Sequence, residues 1–70
     1  MQRQHVASSN LHSVGYDPQS QTLEIEFHNG VVYQYSGVPP VVHRDLISAG
    51  SKGTYFSAFI KERYPTRRLR

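Results

Sequence analysis

The chain has 70 residues, which allows one domain with a small core and modest stability. Its 37% apolar and 19% charged residues, with five Tyr and three Phe, fit a folded globule rather than a disordered segment. The absence of Cys excludes a disulfide framework and thiolate metal sites, and no run approaches the roughly 20 apolar residues of a membrane span. Met1 to His5 lacks the apolar run of a signal peptide, so we expect an unprocessed, soluble, cytoplasmic protein. Residues 1–60 carry three basic groups (Arg3, Arg44, Lys52) against four acids (Asp17, Glu24, Glu26, Asp45), a net −1. Residues 61–70 carry five (Lys61, Arg63, Arg67, Arg68, Arg70) against Glu62, a net +4. The cationic element is the tail.

In chain order, residues 1–4 carry no pattern and are expected to fray, as are residues 66–70. Leu11–Tyr16 reads as a first strand, stopped by Asp17-Pro18-Gln19-Ser20, where Pro18 presets a turn. Thr22–Phe27 alternates strictly, with Leu23, Ile25 and Phe27 on one face and Thr22, Glu24 and Glu26 on a solvated one. His28-Asn29-Gly30 then leads to Val31–Ser36, a strong hairpin signal whose register decides the role of Tyr33 and Tyr35. A two-residue Asn29-Gly30 loop would set Phe27 opposite Val32 and leave both tyrosines on the solvent face as an aromatic platform. A three-residue loop with Gly30 left-handed pairs Phe27 with Val31 and gathers both tyrosines with Leu23, Ile25 and Phe27; this register is favoured because it turns Gln34 and Ser36 outward.

Gly37-Val38-Pro39-Pro40 ends the sheet and starts a helix whose core face would be Val42, Leu46 and Ala49, stopped by Gly50. Ser51 can cap a second helix carrying an apolar stripe of Tyr55, Phe56, Phe59 and Ile60, ended by Pro65. The expected architecture is α+β in the order β-β-β-α-α: a three-stranded antiparallel meander with two helices on one face, spanning residues 5–65 as a single domain.

The run Val6–Leu11, Val14-Gly15-Tyr16-Asp17, Phe27-His28-Asn29-Gly30, Tyr33-Gln34-Tyr35, Val38-Pro39 and Ser51–Phe56 with Ile60 and Tyr64 together resemble the KTSC domain family. The resemblance covers about residues 5–65. It implies a short module, named after the C-terminal extension of some lysyl-tRNA synthetases and also found as free-standing bacterial proteins, with a central Tyr-x-Tyr motif at Tyr33 and Tyr35. RNA binding is proposed for that family, and the resemblance brings no catalytic residues.

The chemistry-bearing residues point the same way. Asp17, Asp45 and Glu62 sit on separate elements, and Glu24 and Glu26 read as ordinary solvated strand residues, so no acid/base pair is expected and the chain reads as non-enzymatic. His5, His12, His28 and His43 lack zinc-element spacing and read as surface imidazoles; no metal, cofactor or small-molecule substrate is implied. No P-loop or dinucleotide fingerprint is present. Gly50-Ser51-Lys52-Gly53-Thr54 places small residues, a hydroxyl and a cation at a helix start, where free amides and the dipole favour a phosphate. The same residues equally suit plain capping and close packing. Lys61, Arg63, Arg67, Arg68 and Arg70 either hold phosphates or serve as a solubilising end, and guanidinium forks suit phosphate. Tyr33 and Tyr35 are core, or base-stacking residues beside these cations. The function expected from these residues is nucleic-acid binding, RNA favoured, through Ser51–Thr54, Lys61, Arg63, Arg67, Arg68, Arg70, Tyr33 and Tyr35; the alternative is a protein-interaction module using an exposed sheet edge or the basic tail.

Overall fold

The computed structural model describes residues 1–70. The elements are β1 (Arg3–His5), β2 (Leu11–Asp17), β3 (Thr22–Phe27), β4 (Val32–Tyr35), α1 (Pro40–Ser48), α2 (Lys52–Phe59) and β5 (Thr66–Arg68). The α+β reading holds, and β2, β3 and β4 are the expected meander, but the antiparallel sheet has five strands in the order β1-β2-β3-β4-β5. No helix is long and apolar enough to cross a membrane.

The two extra strands come from the segments expected to fray, and tertiary contacts hold each in place. Arg3 lies opposite Gly15, which lies opposite Glu24 and then Gln34 in the next strands. With no side chain at Gly15, the Arg3 guanidinium crosses β2 and pairs with Glu24, while its Nε donates to Ser13 Oγ at 3.0 Å. Glu24 is therefore 5% exposed rather than solvated, with Gln34 Nε2 donating to its other oxygen at 2.8 Å. A carboxylate taken out of water needs such partners, and Glu24 has them from both sides. Glu26 accepts from Ser13 Oγ at 2.9 Å and lies 3.6 Å from Arg3 Nη2. The hydroxyl first, then the charges of Arg3, His12 and Arg70, hold its pKa below the usual value against the opposing effect of burial. At the other edge, the Ser36 amide donates to the Pro65 carbonyl at 3.0 Å and the Leu69 amide to the Val32 carbonyl at 2.8 Å, so β5 is stitched to β4 by backbone bonds that need no particular side chain.

The β3–β4 hairpin adopts the three-residue loop. The Phe27 amide donates to the Val31 carbonyl and the Gly30 amide to the Phe27 carbonyl, each at 2.9 Å, with Gly30 at φ +89. This positive φ suits glycine because it carries no Cβ. Leu23 consequently pairs with Tyr35 and Ile25 with Tyr33, and the tyrosines face the helices. A register shift between Leu11 and Ser13 marks a bulge in β2.

The core is Leu11, Val14, Leu23, Ile25, Tyr35, Val38, Leu46, Phe56 and Ile60. Burying each aliphatic side chain contributes roughly 1.5–3 kcal/mol. In α1, Leu46 is buried with Val42 and Ile47 packed beside it, and Ala49 is the extended residue that ends the helix rather than a core residue. In α2, Ser51 caps as expected, but the apolar stripe is narrower than its sequence: Phe56 and Ile60 are buried while Phe59 is 55% exposed.

Candidate functional site

The register of the hairpin and the shortness of α2 together create a cleft. Tyr33 and Tyr35 join Phe27 on the helix-facing side of the sheet, and α2 reaches them only with Phe56 before ending at Phe59. The four rings form a closed cycle of neighbours: Phe27–Tyr33 at 6.1 Å between centroids, Tyr33–Tyr35 at 6.4 Å, Tyr35–Phe56 at 5.6 Å and Phe56–Phe27 at 5.5 Å. Three of these contacts are edge-to-face, which the ring quadrupoles favour and which keeps the ring positions fixed. Tyr35 and Phe56 are buried, whereas Phe27 and Tyr33 are half-buried and expose part of their rings.

The space beside these rings is an open cleft of about 510 Å3, within the range of ligand sites. Asn29 and Val31 border it on the hairpin side, Lys61 and Glu62 on the helix side, and Thr66 of β5 closes it. Asn29 Oδ1 accepts from the Val31 amide at 3.1 Å, which fixes the carbonyl side of its amide and leaves the NH2 group to donate. Glu62 adopts φ +62, a left-handed conformation that glycine or asparagine occupies more readily. Burial, with the neighbouring Tyr33 hydroxyl as the smaller cause, pushes the Tyr35 hydroxyl up to about 12, so it stays neutral.

Of the residues singled out from sequence, the fold brings Tyr33, Tyr35 and Lys61 to this cleft, and adds Arg68, which lies opposite Tyr33 in the β4–β5 ladder and shares its face. Arg67 lies opposite Gln34, on the face of the Glu24 network, and Arg70 is near enough to Glu26 for its charge to be felt there. Arg63 is exposed in the turn after α2.

Ser51, Lys52, Gly53 and Thr54 lie at the opposite end of α2, an eight-residue helix and so about 12 Å long. There the Thr54 amide donates to Ser51 Oγ at 3.3 Å, and the Lys52 ammonium donates to the Ala49 carbonyl at 3.2 Å, tying α2 to the end of α1. Gly53 is buried against Asn10, and a Cβ there would come within 2.9 Å of Asn10 Nδ2. Each of these residues thus has a task in joining the two helices.

Phe27, Phe56, Asn29 and Glu62 belong to the cleft, although the sequence marks the first two as core, the third as a turn residue and the last as a scattered acid. The signal that finds them is the three-residue loop combined with a helix that stops short of the hairpin. The histidines also depart from scattered surface groups. His5, His12 and His28 line up edge to face, at 4.5 and 5.3 Å between centroids, but form no ligand set that could hold a metal ion. His43 stacks flat on Tyr16 at 4.6 Å, and burial lowers its pKa.

Comparison with known proteins places this arrangement. The model of the KTSC domain matches residues 7–64. An uncharacterized protein of Stutzerimonas stutzeri is 44% identical over 64 residues, covering 91% of this chain and 90% of that one. The lysine–tRNA ligase of Nostoc punctiforme is 48% identical over 54 residues, which are 77% of this chain but only 10% of the ligase. The crystal structure of a KTSC domain protein from Yersinia pestis, 46% identical, superposes with a TM-score of 0.93 over 99% of this chain and 97% of its own. A family model spanning the sheet and both helices, together with a full-length structural match at this identity, shows that the chain belongs to the KTSC domain family.

Proposed function

We propose that this domain is a non-enzymatic, cytoplasmic RNA-binding module that holds a single strand, with one base against the aromatic cleft and the phosphates along the basic residues around it. The observation that carries this reading is the placement of Tyr33 and Phe27, partly exposed, beside Lys61 and Arg68 on one face. Stacking on aromatic rings next to cations is how proteins hold unpaired bases. Because β5 is an edge strand, a backbone running along it meets arginines from both faces of the sheet, Arg68 on one and Arg67 and Arg70 on the other. The start of α2 has a smaller part here, since the Lys52 ammonium is turned to the Ala49 carbonyl. The related stretch in a lysine–tRNA ligase fits an accessory that works beside an RNA-handling enzyme.

Fluorescence anisotropy with labelled single-stranded RNA, duplex RNA and duplex DNA, at low and physiological salt, tests it. Single-stranded RNA should bind tightest. The slope of log affinity against log salt should weaken by about 2 in an Arg67, Arg68 and Arg70 to Ala variant, at roughly 0.7 for each phosphate left without its arginine. No binding to any of the three at low salt would leave a protein-interaction module in its place.

A further inference from the structure

We infer that the cleft selects guanine among the unpaired bases, an inference that rests on the RNA reading above. The rim polar groups are the reason. Lys61 and the free NH2 of Asn29 are donors, and Glu62 is an acceptor whose carboxylate has no hydrogen-bond or ion-pair partner within the protein. Donors and a carboxylate on one rim match the Watson–Crick edge of guanine, which presents the O6 acceptor beside two donors, N1–H and N2–H2. A carboxylate takes those two donors with its two oxygens at once, in a bidentate geometry. Adenine and cytosine each offer one amino group there, and uracil one imide N–H, so none of them fills both oxygens. The purine also covers more of Phe27 and Tyr33 than a pyrimidine does.

The backbone at Glu62 supports a role for its side chain. A non-glycine residue at φ +62 costs roughly 1–2 kcal/mol, and such conformations concentrate where a side chain has to be aimed. No contact within the fold uses the Glu62 carboxylate, so glycine would serve the turn better if the turn were all that mattered.

The test follows from that conformation. Glu62→Gly removes the carboxylate at a position where the backbone already favours glycine, so the variant should fold at least as well as the parent. Uridine hexamers carrying one central G, A, C or inosine are titrated against the parent, Glu62→Gly and Glu62→Gln. The parent should prefer G over A by at least about tenfold, the discrimination of one good bidentate contact. Inosine, which lacks the N2 amine, should fall between them. Both variants should lose the preference while binding the A hexamer as the parent does. Equal binding of all hexamers with the salt dependence intact overturns guanine selection and leaves RNA binding standing. A G preference that survives in Glu62→Gly also overturns it, because the selecting group would then lie elsewhere. Absence of binding to every hexamer overturns both readings together.

Discussion

Gly15 offers the sharpest test of how β1 is held, because two effects of opposite sign meet at one atom. In a strand, alanine ordinarily beats glycine by about 0.5–1 kcal/mol, since glycine loses more backbone freedom on folding. Here a Cβ would sit 2.7 Å from the Gln2 carbonyl oxygen, 3.0 Å from Arg3 Cγ and 3.1 Å from Met1 Sδ. The nearest of these atoms is backbone and cannot swing aside, so β1 must move away from β2. Overpacking of this kind costs about 1–3 kcal/mol, and pulling Arg3 off the buried Glu24 adds the cost of a carboxylate with one partner fewer, about 1–3 kcal/mol. The steric and electrostatic costs outweigh the backbone gain, and Gly15→Ala should destabilise by about 2 kcal/mol. Urea denaturation followed by far-ultraviolet circular dichroism would show this as a lower midpoint, by roughly 1–2 M for a slope of 1–2 kcal/mol/M. The same substitution in a chain lacking residues 1–5 meets none of the three atoms and should be stabilising by about 0.5–1 kcal/mol relative to that shortened parent. Finding the same sign in both backgrounds would refute the account of β1 as a strand threaded over a missing side chain.

Three further outcomes are expected. Phe56→Ala should cost about 3–5 kcal/mol by opening a cavity among Tyr35, Phe27 and the core, whereas Phe59→Ser, three residues on and 55% exposed, should stay within about 0.5 kcal/mol; thermal melts of the two variants check the contrast. His43 titrates below 6.5 because burial against Tyr16 disfavours its charged form, so between the folded value and 6.5 the unfolded chain binds the extra proton and stability falls as the pH drops. In His43→Phe the melting temperature should lose that slope below pH 6.5, while the loss below about pH 4.5, where protonated Glu26 gives up the Ser13 bond, should remain. Tyr33→Ala should weaken RNA binding about 5- to 150-fold, as expected for about 1–3 kcal/mol of stacking, equally at low and physiological salt; anisotropy titrations that instead show a changed salt slope would move Tyr33 out of the stacking role.

The sequence makes β2, β3 and β4 legible because apolar alternation and a strong turn signal act over neighbouring residues, and the Asn29-Gly30 hairpin even carries its register. Both helices are legible from Pro39-Pro40 and the Ser51 cap. What stays hidden is set by contacts between distant residues. Arg3-Gln4-His5 and Thr66-Arg67-Arg68 have no strand pattern, and they become strands because the edges of the meander offer them free backbone groups and, for Arg3, a buried acid. Glu24 alternates like a solvated residue, and its burial depends on Gly15, nine positions earlier, having no side chain. The tyrosines illustrate the remaining gap. Local pattern places them on the helix-facing side, but only the length of α2 decides that Tyr35 is covered while Tyr33 keeps an open face.

The rims of the sheet have a consequence for how copies of this protein coexist at high concentration. Both edge strands are three residues long, and each carries arginine, Arg3 on one and Arg67 and Arg68 on the other. A rim that is short and positively charged gives an approaching copy little to add a strand to and repels it as well, which keeps sheets from growing edge to edge into insoluble ladders. A polyanion lying along β5 would neutralise that repulsion, so solutions of the domain should be least prone to cluster when free and more prone when coated, and the arginines serve as guards against self-association whenever no phosphate occupies them.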